Sequence, residues 1–355
     1  MHFKITANKY SYKDIIGSIL VLLTAVFFSC NENKEARNTE PAFYYWKSVF
    51  KLSDFEKQRL DSLHVKTIYI KFFDVDWDDV SKAPLPVAKL QTISNKQQEG
   101  MQLIPTVFIT NECIQKIDSL QIQALAGNIH TLVNDIIKAN NFTNIPEIQI
   151  DCDWTAVTRA KYFALLSAIK KQSGIVLLSA TIRLHQVKFF YKTGVPPVDK
   201  GLLMCYNMGN LKNPATKNSI LETEELKKYI GNLSTYPLPL DVALPLFEWK
   251  VLFHNNMYTG LIENLPDTIF TNDFVIKKEN RLELLKDTLL QGYDLRKGDI
   301  LRNEQSNYSE ILSAAAAINT RLKNTHPRVS LYHLDSVILS KYSLHELETI
   351  YNSLR

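Results

Sequence analysis

Stretches that favour β-strands alternate with stretches of helical spacing from residue 43 to the end of the chain. The strand-like stretches are apolar throughout or alternate apolar and polar positions, which is typical of strands buried on one or both faces. We predict eight strands, at residues 43–49, 66–73, 103–109, 147–153, 175–183, 202–206, 242–247 and 328–334. Helices are predicted at residues 53–63, 122–139, 157–171, 222–233 and 344–354, and a longer insertion with helices is predicted at residues 281–322. Ser53 followed by Glu56 is the pairing expected at the start of a helix.

Strands separated by helices pair in parallel, because each connection has to cross back over the sheet. Eight such units predict an α/β fold of the (β/α)8 TIM-barrel type over residues 41–355, a usual length for one such barrel. The alternative is an open doubly wound sheet. Such a sheet normally has a glycine-rich turn after its first strand, and residues 49–53 contain no glycine.

The N-terminal thirty residues have the pattern of an export signal. Three lysines precede an apolar run at residues 15–28, which ends at Ser29-Cys30. A run of about fourteen residues is shorter than the roughly twenty that a membrane-spanning helix needs. Cys30 stands where lipoprotein signals place the acylated cysteine, and Phe27-Phe28-Ser29-Cys30 resembles a lipobox, with Phe28 where a smaller residue is common.

We therefore predict a signal peptide at residues 1–29, lipidation of Cys30 and a polar tether over residues 30–40. The folded part is expected in the cell envelope, lipid-anchored to a bacterial membrane at its periplasmic face or at the cell surface. A plain cleaved signal and an uncleaved anchor remain the alternatives.

Charge and cysteine content exclude several classes of protein. The formal net charge is +4, the signal contributes about half of it, and no basic stripe stands out, so we expect no nucleic-acid partner. Cys113, Cys152 and Cys205 are widely spaced, which argues against a disulfide framework and against a zinc site. We expect no cofactor and no metal, and we expect a monomer.

The fourth predicted strand carries the strongest chemical signal. Gln149, Asp151, Asp153 and Thr155 share one face of it, and apolar residues occupy the other. Two carboxylates on one face repel each other, and such crowding raises a pKa and creates acid–base sites. The alternative is structural, with each carboxylate paired to a lysine or arginine inside the barrel.

Polar residues on neighbouring strands are candidates to join these aspartates. On the fifth strand Arg183 and His185 share a face, and Arg183 is suited to a bidentate contact with a carboxylate. On the second strand Lys71 is either a buried partner of the two aspartates or a solvated strand end. Asp74 and Asp76 are predicted in an acidic loop, which lacks the glycine and glutamate of a calcium loop.

The sixth and seventh strands end in further polar and aromatic residues, Tyr206-Asn207 and Glu248-Trp249. Together with Trp46 in the first strand, these aromatic side chains would suit stacking on sugar rings at the mouth of a barrel. Ordinary aromatic packing in the core is the alternative for each of them.

Three motifs resemble the strands of chitinase-like glycoside hydrolases of family 18. Residues 151–155 resemble the fourth-strand Asp-x-Asp-x-Glu signature, residues 204–207 the sixth-strand Met-x-Tyr-Asp, and residues 243–247 the seventh-strand Gly-x-Pro-x-Tyr. The order and spacing agree over about the central half of the chain. The whole chain also resembles a group of uncharacterised bacterial lipoproteins with a barrel of this kind.

The resemblance implies a glycan as the partner, but the motifs depart from the family. The proton-donating glutamate falls on Thr155, the sixth-strand aspartate is Asn207, and the eighth strand lacks the family's tryptophan. One hypothesis is a hydrolase in which Asp153 protonates the leaving oxygen and Glu248 attacks or activates water, with Asp151 beside them. The others are a non-catalytic glycan-binding barrel and a structural envelope protein.

Overall fold

The computed structural model describes residues 37–92, 100–172, 174, 177–263, 265–290 and 292–355. The predicted signal peptide, Cys30 and residues 31–36 lie outside the described residues. Arg37 is already part of the folded unit, because its guanidinium donates to the backbone carbonyls of Asn324, Asn319 and Leu322.

The described residues form eighteen strands and ten α-helices. In chain order the strands are β1 (Glu40–Tyr45), β2 (Val49–Phe50), β3 (Thr67–Asp78), β4 (Ala83–Val87), β5 (Gln91–Thr92), β6 (Gln102–Ile109), β7 (Glu147–Asp151), β8 (Leu177–Arg183), β9 (Lys200–Met204), β10 (Leu240–Pro245), β11 (Glu248–His254), β12 (Met257–Ile262), β13 (Val275–Lys278), β14 (Arg281–Leu284), β15 (Thr288–Leu290), β16 (Tyr293–Leu295), β17 (Ile300–Gln305) and β18 (Arg328–Tyr332). The helices are α1 (Asp54–Ser62), α2 (Asn111–Lys116), α3 (Ile122–Ala139), α4 (Arg159–Lys170), α5 (Leu184–Lys188), α6 (Phe190–Thr193), α7 (Thr223–Lys227), α8 (Tyr308–Asn319), α9 (Ser336–Leu339) and α10 (Leu344–Asn352).

Eight parallel strands close into a barrel. The order around it is β1, β3, β6, β7, β8, β9, β10 and β18, and β1 pairs in parallel with both β18 and β3. This closure confirms the predicted (β/α)8 barrel and excludes the open sheet. Ser53 caps α1 in a capping box with Glu56, as predicted.

The helices pack their apolar faces on the outside of the barrel. In α3 the buried residues recur at helical spacing, which is why this helix could be predicted with both of its ends. They are Ile122, Leu125, Ala126, Ile129, Val133 and Ile136. No helix among the described residues is both long enough and apolar enough to cross a membrane.

The barrel interior is polar at the amino ends of its strands. Glu147 is buried and pairs with Arg328 at 2.6 Å and with Lys200 at 3.1 Å, and Lys200 also reaches Asp241 at 2.7 Å. One layer higher, the Tyr44 hydroxyl donates to Gln149 at 2.5 Å. Because buried charges are tolerated only when paired, this network fixes the side chains that fill the lower barrel.

An antiparallel insertion lies between the seventh barrel strand, β10, and helix α8. Its five strands run in the order β12-β11-β17-β14-β13 around an apolar cluster of their own, and β15 and β16 form a separate hairpin. The prediction of helices from residue 281 was therefore wrong up to residue 305. Buried and partly exposed positions alternate along β14, which is the period of a strand.

Candidate functional site

Asp151 is the last residue of β7 and points into the barrel. Its side chain accepts a hydrogen bond from the Thr181 hydroxyl on β8 at 2.5 Å, and the residue is 3% exposed. Burial raises the pKa of Asp151 to about 6; the charge of Arg183 opposes this rise and that of Asp153 adds to it. Cys152 and Trp154 are fully buried on the opposite face, as the alternation of the sequence predicts.

Asp153 lies just beyond the end of β7, where the chain leaves the barrel. Its two carboxylate oxygens accept from Nε and Nη2 of Arg183, the latter at 3.1 Å, so the bidentate contact predicted for Arg183 is present. The Asp153 side chain is 48% exposed and that of Arg183 is 21% exposed. Burial lowers the pKa of Arg183, but the charges of Asp153 and Asp151 outweigh it and hold the pKa above its ordinary value.

A cavity of about 360 Å³ opens at the carboxyl ends of β7, β8 and β9, and we call it the mouth cavity. It is lined by Asp153, Arg183, Leu184, His185, Tyr206, Asn207, Met208 and Tyr229. Five of these side chains were predicted as site residues. The cavity lies within the size range of small-ligand pockets and combines apolar walls with a few convergent polar groups.

His185 and Asn207 reach the mouth cavity from positions outside the strands. His185 is the second residue of α5, and burial lowers the pKa of its imidazole. Asn207 has a φ of 56°, a left-handed conformation that asparagine tolerates better than most residues. Its backbone N–H donates to the carbonyl of Ile220 at 2.9 Å, which anchors the turn after β9.

Tyr206 forms the aromatic wall of the mouth cavity. The residue is 3% exposed, and its hydroxyl has no hydrogen-bond partner among the described residues. Its ring stacks on that of Tyr332 at 5.2 Å between centroids, and Phe247 packs edge-on against both rings. Tyr332 was not among the predicted site residues, although its position at the end of the last barrel strand could have identified it.

Trp46 and Lys71 form a second cluster near the mouth, beside Tyr332. Trp46 lies 6.1 Å from Tyr332 between ring centroids, and the Lys71 ammonium lies 5.7 Å from the Trp46 ring. Lys71 pairs with Asp74 at 2.8 Å, so it is neither a partner of Asp151 and Asp153 nor a solvated strand end.

A β-bulge explains why Lys71 meets Asp74. Residues three apart on a regular strand point to opposite faces, but β3 contains one extra residue between Lys71 and Phe73. The bulge returns Asp74 to the inner face, close enough for its charge to raise the pKa of Asp151. The prediction of a loop at Asp74 and Asp76 was wrong, because β3 continues to Asp78 and pairs with β4.

Glu248 and Trp249 belong to the insertion and not to the barrel strands. Strand β10 ends at Pro245, and Glu248 starts β11. Glu248 pairs with Lys341 at 2.5 Å and lines a separate cavity of about 180 Å³. The structure therefore does not bring Glu248 to the mouth cavity with Asp153. The Trp249 indole donates to Glu304 at 2.7 Å, and its ring packs on Phe247.

Thr155, at the position of the family's acid, lies in the connection between β7 and α4, before the Thr158 N-cap. Its backbone N–H donates to the Thr158 hydroxyl at 2.9 Å, and Thr158 in turn donates to Asn111 at 2.7 Å. Thr155 is exposed and carries no group that can protonate a leaving oxygen at neutral pH. Glu263 was not among the predicted site residues. Burial raises the pKa of Tyr332, and the charges of Asp151 and of the exposed Glu263 add to this rise.

The insertion holds the long loop that continues from Asn207. Arg302 on β17 is fully buried and donates to the carbonyls of Leu211 at 2.9 Å and Asn213 at 2.7 Å. Its Nε donates to Glu304 at 2.5 Å, and Glu304 also accepts from Ser219. The wall of the mouth cavity formed by Asn207 and Met208 thus depends on a buried ion pair that sequence reasoning did not find.

Fold and site together define a (β/α)8 barrel with polar and aromatic residues at its mouth. No protein-family model and no curated protein sequence matches the chain. Among solved structures, the spore cortex-lytic enzyme SleL of Bacillus cereus matches with a TM-score of 0.54 at 10% identity, over 90% of this chain and 75% of that one. The Group IV chitinase of Ostrinia furnacalis, solved with allosamidin, matches with a TM-score of 0.52 at 11% identity, over 89% of this chain and 98% of that one.

A chitinase from Bacteroides thetaiotaomicron has the same fold as well. It matches with a TM-score of 0.51 at 10% identity, over 88% of this chain and 96% of that one. Identities this low demonstrate a common fold and nothing about activity. The resemblance inferred from the strand motifs is confirmed at the level of fold.

Proposed function

We propose that this chain is a glycan-binding barrel of the bacterial cell envelope, held to a membrane by a lipid on Cys30, that binds a glycan without cleaving it. The observation that carries the proposal is the pairing of an open polar and aromatic cavity with a threonine at the position of the acid. Tyr206 offers a hydroxyl, Asp153 accepts hydroxyl donors, and Asn207 can do both.

The charge arrangement also favours binding over hydrolysis. In most glycoside hydrolases cleavage uses two carboxyl groups, about 5–5.5 Å or about 6.5–9.5 Å apart, one of them as proton donor; the substrate-assisted enzymes of family 18 are an exception to the carboxylate pair. Both carboxylate oxygens of Asp153 accept hydrogen bonds from Arg183, and Glu248 lines another cavity. Neither arrangement supports the acid and nucleophile roles considered for that pair.

A hydrolase remains the second candidate because of Asp151. A buried carboxyl group with a pKa of about 6, two residues before the cavity-lining Asp153, has the pKa of a general acid. In that mechanism Asp151 or Asp153 would have to donate the proton in place of Thr155.

A glycan array followed by an assay for released reducing ends separates the two candidates. We expect binding without release, and we expect Asp153→Asn to weaken the affinity several-fold. Glu248→Gln is the matched control, because it also removes one half of an ion pair but lies at the other cavity; it should leave binding unchanged. Release of reducing ends that Asp151→Asn abolishes would overturn the binding proposal in favour of the hydrolase. No affinity for any glycan would contradict both.

The lipid anchor is tested separately from the glycan. The full chain should partition into the membrane fraction of bacterial cells and incorporate labelled fatty acid, and Cys30→Ser should abolish both. Incorporation that persists in Cys30→Ser would refute lipidation at this residue.

A further inference from the structure

The mouth cavity continues onto a surface formed by Lys188, Phe189 and Tyr229. Tyr229 lines the cavity itself. The Lys188 ammonium lies 4.9 Å from the centre of the Tyr229 ring and 5.3 Å from that of Phe189, so one cation bridges the two rings. We call these three residues the rim platform.

The backbone connects the rim platform rigidly to the cavity. His185 lines the cavity, and its backbone carbonyl accepts a hydrogen bond from the backbone N–H of Phe189 at 3.0 Å. The two residues are therefore one helical turn apart on the same side of α5. On the other side the Asn232 side chain donates to the Lys188 carbonyl at 2.8 Å. A ligand that fills the cavity and extends outward on this side would meet Phe189 next.

Two properties of the rim platform point to a ligand. Phe189 is 45% exposed, which is unusual for a phenylalanine held between two helices. Lys188 is engaged in no ion pair within the described part of the chain, whereas the nearest cation on the cavity wall, Arg183, is already paired with Asp153. The platform therefore offers an aromatic face and an uncompensated positive charge.

We propose that the rim platform is an outer subsite for a sugar unit that carries a carboxylate, one unit beyond the unit in the mouth cavity. The inference rests on the proposed glycan-binding function and specifies its ligand as an acidic oligosaccharide. The ring of the outer unit packs on Phe189, and its carboxylate pairs with the Lys188 ammonium.

The experiment measures the affinities of two tetrasaccharides by calorimetry, with the chain lacking residues 1–29. One is peptide-free and alternates N-acetylglucosamine with N-acetylmuramic acid, which carries a carboxylate. The other is the neutral tetramer of N-acetylglucosamine. We expect the acidic tetramer to bind about threefold more tightly, the range of an exposed ion pair. Lys188→Gln should remove that preference and leave the affinity for the neutral tetramer unchanged.

Lys212 supplies the matched control. Its ammonium also lies over an aromatic ring, that of Tyr258 at 5.8 Å, but it lines no part of the mouth cavity. Lys212→Gln should keep the preference for the acidic tetramer. Phe189→Ala should weaken binding of both tetramers about fivefold while leaving disaccharide binding unchanged.

The outcomes distinguish this inference from the proposed function. If Lys188 served only to hold α5 in place, Lys188→Gln would weaken acidic and neutral ligands alike, and the subsite would be refuted. Equal affinity of the wild type for the two tetramers would also refute it while leaving glycan binding intact. Failure of the wild type to bind either tetramer would contradict both this ligand assignment and, if the glycan array is also negative, the proposed function.

Discussion

Replacement of Asp151 by asparagine should stabilise the protein at neutral pH and have little effect in acid. Asparagine has nearly the same shape, and its oxygen can still accept the hydrogen bond from Thr181. The pKa of Asp151 rises from its ordinary value of 3.8 to about 6, chiefly through burial, so the folded protein holds this proton more tightly than the unfolded chain does. Ionisation of Asp151 therefore costs stability, and the cost grows as the pH rises from about 4 to about 6.

The size of the effect follows from the two pKa values. One pKa unit corresponds to about 1.4 kcal/mol, so the full cost above pH 6 is about 3 kcal/mol. The low exposure of Asp151 means that solvent screens little of this energy. Urea unfolding of wild type and Asp151→Asn at pH 4 and pH 7.5 measures it directly, because groups that titrate equally in both proteins cancel in the difference.

The free energies of unfolding of wild type and Asp151→Asn should be nearly equal near pH 4 and should differ by about 3 kcal/mol at pH 7.5. Asp199→Asn is a control in which the change in stability at neutral pH should have the opposite direction. Burial raises the pKa of Asp199, but Lys170 and the backbone N–H of Leu178 outweigh it and lower the pKa, so loss of this carboxylate should destabilise the protein at neutral pH. A difference between wild type and Asp151→Asn that stayed constant with pH, or a variant less stable at pH 7.5, would refute the argument.

Three further predictions concern the walls of the site. Arg302→Met should lower the free energy of unfolding by about 3 kcal/mol, because it removes the positive charge that compensates the buried Glu304, and hydrogen exchange at residues 210–217 should quicken. Adding Glu304→Gln should recover part of the loss. Full stability of the Arg302→Met variant would contradict this prediction. Tyr206→Phe should cost almost no stability in chemical unfolding but should weaken glycan binding several-fold; unchanged binding would exclude a role for the hydroxyl. In an Asp153→Asn background the stabilisation by Asp151→Asn should be smaller at pH 7.5 and should level off at a lower pH, because loss of the Asp153 charge lowers the pKa of Asp151; an unchanged stabilisation would show that the two carboxylates do not interact.

The barrel could be predicted because its signals are local. Each parallel strand is a short apolar or alternating run, and each long helix shows a period of 3.6, as in α3. The alternation along β7 also placed Asp151 and Gln149 inside the barrel. Arg183 was predicted as a partner of Asp151 or Asp153, and it pairs with Asp153.

The positions of the other site residues depend on features that the hydrophobic periodicity of the sequence does not reveal. The bulge in β3 changes which side chains share a face, so Lys71 meets Asp74 instead of the aspartates of β7. The direction of the chain after Pro245 decides that Glu248 enters the insertion rather than the mouth. Arg302 lies about ninety residues from the loop that it holds, and such long-range contacts leave no mark on the sequence around either partner.

Asp151 and Asp153 show how one face of one strand can hold two different chemical groups. Asp151 ends β7 and is buried beneath the rim, whereas Asp153 lies just beyond the strand, is half-exposed and forms an ion pair with Arg183. Burial, and to a smaller extent the charge of Asp153, raise the pKa of the buried Asp151. A side chain that raises the energy of the fold at neutral pH is better explained by a role in binding or chemistry than by a role in stability. The mouth of the barrel, rather than its paired lower layer, is therefore where the function of this protein should be sought.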